Sequence, residues 1–69
     1  MNITTKKSLS QLSNFEMDEL YELLIKEYGF ARGAQIISLA QRIDSQRKFI
    51  SALGAIDRAI EWFRRQRID

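Results

Sequence analysis

The sequence predicts an all-α fold, a small bundle of three helices that we expect to be dimeric. Three segments repeat apolar residues at helical spacing, a capping sequence precedes the first segment, and a glycine follows it. These signals place the helices at about residues 14–28, 31–43 and 45–66. The long C-terminal helix is expected to be the one on which the other two pack. Residues 1–12, rich in Ser, Thr and Lys, are expected to be a flexible basic arm, and residues 13–69 a single helical domain.

The first predicted helix has a start signal in SNFE, residues 13–16. Ser13 can cap the helix while the Glu16 side chain reaches back to it, and Leu12 can pack against Met17. Gly29 is expected to end this helix in the left-handed conformation. The apolar face between these two ends comprises Met17, Leu20, Tyr21, Leu24 and Tyr28.

The second and third predicted helices follow a corner at which we expect Phe30 in the core and Gly33 to loosen the next helix. Asp44 or Ser45 can cap the third helix. The second helix has its apolar side at Ile36, Ile37, Leu39, Ala40 and Ile43, and the third has an apolar seam of Phe49, Leu53, Ile56, Ile60 and Phe63. Because no proline interrupts IDSQ, fusion of these two helices is the alternative.

The composition limits both stability and chemistry. The chain has 69 residues with no cysteine and no histidine, which excludes disulfides, the usual zinc sites and an imidazole base. A core of this size seldom supplies more than about 3–5 kcal/mol, so we expect support from self-association or a partner. The acidic residues have no second cluster to converge on, and no glycine-lysine phosphate loop is present, so we expect neither an enzyme nor a bound cofactor.

The third helix carries the predicted contact surface. A glycine in mid-helix, Gly54, costs about 1 kcal/mol relative to alanine, and small neighbours would let another backbone approach closely. Tryptophan and arginine are enriched at binding hot spots. We therefore predict a protein interface at Ser51, Gly54, Ala55, Arg58, Trp62 and Arg65. The alternative is that this helix is simply the central helix of a tight monomer.

The charges are distributed unevenly. The predicted first helix carries a net charge of −4, whereas residues 45–69 carry +3. Acids near a helix start and arginines near a helix end complement the helix dipole, which is a structural explanation of this pattern.

The stretch EYGFARG, residues 27–33, resembles the turn of winged and simple helix-turn-helix repressors. The resemblance implies that the second helix reads DNA through Gln35, Ser38 and Arg42, with Lys6 and Lys7 on phosphates. Two positions depart from the motif. Ile25 stands where a small residue is usual, and Gln35 stands where a buried aliphatic residue is usual.

The function we predict is a small non-enzymatic regulatory or inhibitory protein that binds another protein, as a homodimer. A helix-turn-helix-like transcriptional regulator is the alternative, and a peripheral membrane-surface protein is a third hypothesis, based on Trp62, Phe63 and the arginines of the last helix. No apolar run can span a bilayer and no signal peptide is visible in residues 1–12, so we expect a cytoplasmic protein.

Overall fold

A computed structural model describes residues 7–47 and 50–66 and confirms the all-α prediction. One 3₁₀ turn, Leu9–Gln11, precedes three helices: α1 (Asn14–Tyr28), α2 (Phe30–Gln46) and α3 (Ala52–Gln66). The described residues include no strand. The long C-terminal helix is not confirmed, because α3 has 15 residues and α2, with 17, is the longest. Helix α2 is also the central one, packing against α1 on one side and α3 on the other.

The predicted start of α1 is confirmed. The Ser13 hydroxyl accepts from the Glu16 backbone N–H at 3.2 Å, and Glu16 Oε1 accepts from the Ser13 N–H at 2.8 Å. Two N–H groups that the first turn would leave unpaired are thereby satisfied. Leu12 and Met17, on either side of this cap, both pack against the core.

Gly29 alone connects α1 and α2. Its N–H donates to the Ile25 carbonyl at 2.8 Å, and its carbonyl accepts from the Gly33 N–H at 2.9 Å, so one residue closes one helix and opens the next. Its φ of 92° is positive as predicted, but ψ is 163°, an extended conformation that only glycine adopts readily. The abrupt corner leaves Phe30 on the outside with 76% of its surface exposed, so its predicted core position is wrong.

The boundary between α2 and α3 lies later than predicted. Asp44 and Ser45, the two candidate caps of the third helix, both lie inside α2. Asp44 Oδ1 instead accepts from the Leu9 N–H at 3.1 Å. The cap of α3 is Ser51, whose Oγ accepts from the Gly54 N–H at 3.1 Å. Separate second and third helices are therefore confirmed, with a shifted break.

The N-terminal segment belongs to the domain from Lys7 onward. Leu9 is buried in the core, and the Lys7 carbonyl accepts from the Ala52 N–H at 2.7 Å. The bond between Lys7 and Ala52 joins the segment to the start of α3, whereas the bond from Leu9 to Asp44 joins it to the end of α2. Residues 1–6, including Lys6, lie outside the described residues.

The buried face of α3 is rotated from the predicted seam toward the alanines. Ile56 is buried and Ile60 and Phe63 are partly buried, but Leu53 is 37% exposed, and Phe49 lies outside the described residues. The small residues at the centre of this face let α3 approach α2 closely. They are Ala52, Ala55 and Ala59, each with 0% of its surface exposed.

Candidate binding site

The predicted contact surface on α3 divides into an exposed part and a structural part. Arg58, Trp62 and Arg65 are all exposed, and their spacing of four and three residues places them on one face of the helix. Ala55 lies in the core against α2, which makes it inaccessible to a partner. The small residues of α3 are thus used within one molecule, where they bring two helices together.

The other two predicted contact residues form the start of α3. Ser51 is its cap, and Gly54 lies in its first turn, whereas the sequence predicts it in mid-helix. A Cβ at Gly54 would lie 3.2 Å from Ile50 Cγ1 and from Ser51 Oγ. These neighbours belong to the turn before α3, so packing within this turn explains the lack of a side chain at Gly54.

The predicted DNA-reading residues share one exposed face of α2. Gln35, Ser38 and Arg42 follow one another at spacings of three and four residues, and all three are exposed. Lys7, the basic residue of the N-terminal arm that the structure describes, contacts an acid: its Nζ lies 3.4 Å from Glu16 Oε1. Lys6, the remaining candidate, is not among the described residues.

The tertiary structure brings the two predicted surfaces together. Two shallow depressions, of about 420 and 450 Å³, lie between α2 and α3 and share Leu39 and Trp62. We call them together the α2–α3 groove. The first is lined by Gln35, Ser38 and Arg42 among others. The second is lined by six further residues, namely Ile43, Gln46, Arg47, Arg58, Glu61 and Arg65. Residues that the sequence analysis assigned to alternative functions thus line one surface.

The groove combines an apolar base with a basic edge. Leu39, Ile43 and Phe63 are half-buried, and Trp62 remains 49% exposed. Around them the exposed charged residues are Arg42, Arg47, Arg58, Arg65 and one acid, Glu61. Leu39 and Ile43 were not predictable as site residues, because an apolar residue at helical spacing indicates only burial.

Phe63 holds Trp62 in place. The two rings meet edge to face, with centroids 5.2 Å apart and planes at 89°. Arg32 Cζ lies 4.8 Å from the centroid of the same Phe63 ring, a cation–π contact between α2 and α3. The arginine of EYGFARG therefore contacts an aromatic ring of α3.

The α1–α2 corner differs from a helix-turn-helix turn. That motif joins its helices by a turn of three or four residues, whereas Gly29 is the whole connection here. The close crossing is also displaced along the chain. Gly33 of α2, not a small residue at position 25, allows the two backbones to approach.

Comparisons with known proteins identify no relative: no protein-family model, no curated protein and no solved structure matches this chain significantly. No helix in the described part is long and apolar enough to cross a membrane. Within residues 7–47 and 50–66, no group of three or more acidic side chains is arranged to hold a metal ion. The α2–α3 groove is the surface on which a functional proposal can be based.

Proposed function

We propose that this chain is a small non-enzymatic regulatory or inhibitory protein that holds an acidic, amphipathic helical segment of another protein in the α2–α3 groove. The observation that carries the proposal is the set of four exposed arginines around a half-exposed Trp62 and a half-buried apolar base. Amphipathic helices bind by laying their apolar face in such grooves. Arginine forks pair with carboxylates in two parallel hydrogen bonds, which favours an acidic segment.

The distribution of charge supports a protein ligand over a nucleic acid. The net charge of the chain is only +2, and the acids of α1 would lie in the field of a phosphate backbone. The base of the groove adds apolar surface from Leu39 and Ile43, which a helix side chain can cover. Tryptophan and arginine together are also the residues enriched at protein-binding hot spots.

Trp62 provides the direct test, because it is the only tryptophan of the chain and lies in the groove. The full chain would be titrated with a synthetic helical peptide carrying leucines on one face and glutamates beside them. Binding should shift Trp62 emission to shorter wavelength as the ring leaves water. The same peptide with glutamine in place of glutamate should bind about tenfold or more weakly, since each 1.4 kcal/mol is tenfold in affinity.

A matched pair of variants separates the groove from the overall charge. Arg58→Glu reverses a charge that lines the groove, whereas Arg64→Glu reverses one on the same helix that lines a different cavity, beside Tyr28 and Arg32. The first should weaken peptide binding about tenfold or more, and the second should leave it within about twofold. Equal effects of the two variants, or a preference for anionic vesicles over the peptide, would contradict the proposal.

DNA binding is the second candidate, supported by the shared exposure of Gln35, Ser38 and Arg42 beside Trp62. Glutamine suits adenine and arginine suits guanine in the major groove. This candidate predicts binding to duplex DNA that weakens steeply with salt and loses sequence preference on Arg42→Ala. A flat salt response excludes it.

A further inference from the structure

The outward face of α1 has the chemistry of the ligand proposed for the groove. Phe15 and Leu23 expose 71% and 44% of their surface, on the side of α1 away from the buried Leu24. Three carboxylates, those of Asp18, Glu19 and Glu22, lie on the same side of α1. At 3.6 residues per turn, these two apolar residues and three acids fall within about 140° of the helix circumference. We call this surface the acidic face, and its residues are Phe15, Asp18, Glu19, Glu22 and Leu23.

The acidic face and the α2–α3 groove are complementary in charge. Asp18, Glu19 and Glu22 are negative, with Lys26 as the one base in the same arc of α1, whereas the groove has four arginines against the single acid Glu61. Each surface also pairs its charges with exposed apolar area, Phe15 and Leu23 on one side and Trp62 on the other. Complementary potentials of this kind guide association and fix its register.

The two surfaces also match in length. With a rise of 1.5 Å per residue, Phe15 and Leu23 are about 12 Å apart along α1, and Arg58 and Arg65 are about 10 Å apart along α3. A helix lying in the groove can therefore place its apolar residues at Trp62 while its carboxylates reach the arginines.

We infer that a second copy of this chain occupies the α2–α3 groove through the acidic face of its α1. Within one molecule α1 packs on α2 through Leu20 and Leu24, so its acidic face points away from its own core. The contact joins two different patches, so a two-fold dimer would contain it twice and a head-to-tail chain would contain it once at each junction. The inference rests on the proposed function and deepens it, because self-association and partner binding then compete for one groove.

Two charge-reversal variants test the contact in the full chain. One carries Glu19→Lys and Glu22→Lys on α1, and the other carries Arg58→Glu and Arg65→Glu on α3. Sedimentation equilibrium should give the wild type an average mass above the 8.1 kDa of the monomer at high concentration, falling as salt is added. Each variant alone should stay monomeric, and an equimolar mixture of the two should regain the higher mass.

The controls decide between failure of this inference and failure of the proposed function. Arg64→Glu should associate like the wild type, and circular dichroism should show that every variant is helical. The α1 variant keeps an intact groove, so it should still bind the acidic peptide. A wild type that stays monomeric, or a mixture that does not regain mass, overturns the self-association even if the peptide binds. Self-association with no peptide binding would instead contradict the proposed function.

Discussion

Gly33 of α2 lies directly against the backbone of Ile25 in α1. A Cβ at Gly33 would lie 3.1 Å from Ile25 N and 3.2 Å from Leu24 C, closer than side chains normally approach. These neighbours are helix backbone, held to α2 by the single residue Gly29, so they cannot move aside independently. The glycine that was expected to loosen α2 therefore sets the spacing of the α1–α2 pair.

Gly33→Ala should lower the free energy of unfolding although alanine favours a helix. Overpacking costs about 1–3 kcal/mol, and the gain in helix propensity is about 1 kcal/mol, which leaves a net loss of up to about 2 kcal/mol. Gly54→Ala is the matched control, because its Cβ would meet only side-chain atoms, those of Ile50 and Ser51, and no helix backbone. Denaturant unfolding should rank Gly33→Ala as the more destabilising. The reverse order would contradict the close crossing.

Gly29→Ala should destabilise the protein by about 1–3 kcal/mol, the usual cost of a strained backbone conformation. No atom lies within 4 Å of a Cβ at this position, so the cost comes from the φ of 92° alone. A chain of 69 residues is accessible to chemical synthesis, which allows a D-alanine at position 29. The D-residue should restore most of the stability measured by thermal unfolding. Equal instability of both versions would show that the positive φ is not the cause.

Glu16 should contribute to the pH dependence of stability. The Ser13 backbone N–H donates to its carboxylate and, with smaller contributions from the Ser13 hydroxyl and Lys7, lowers the pKa of Glu16 below its ordinary value of 4.5. The stabilisation is complete above that value and is lost as the pH falls through the lowered pKa. Glu16→Gln keeps an acceptor for Ser13 but does not titrate.

The measurement is denaturant unfolding at about pH 7 and about pH 3, below the ordinary carboxyl pKa. Wild-type protein should lose more stability between these conditions than Glu16→Gln loses. Glu22→Gln, at an exposed position of α1, controls for the loss of one negative charge. An identical loss of stability for wild type and Glu16→Gln would mean that titration of Glu16 does not affect the stability of the protein.

Leu9→Ala should cost about 2–5 kcal/mol, because Leu9 fills the core from the N-terminal segment. Leu53→Ala removes the same atoms from a side chain that is 37% exposed and should cost much less. Leu9→Met, which conserves volume, should stay within about 1.5 kcal/mol of the wild type. If Leu9→Ala and Leu53→Ala melt at the same temperature, residues 7–12 are not part of the core.

Helix number, the capping box at Ser13 and the stop at Gly29 were predictable from the sequence, because each depends on residues within about one helical turn of one another. The start of α3 was placed too early, since Asp44 and Ser45 are as good capping residues as Ser51. Local preference does not distinguish between them. The contact from Leu9 to Asp44, which spans 35 positions, favours the continuation of α2.

Local patterns in the sequence are sufficient to predict three helices, with acids concentrated on the first and arginines on the last. The predicted apolar faces of α1 and α2 do mostly pack in the core, whereas at α3 and at the α1–α2 corner the packing of the helices decided which side chains are buried. The alanines of α3 face inward and Phe30 faces outward because packing depends on how closely two helix backbones approach. The spacing of apolar residues along the chain gives no information about that distance. The same packing brought Gln35, Ser38 and Arg42 beside Arg58, Trp62 and Arg65, and so made one groove from residues that lie far apart in the chain.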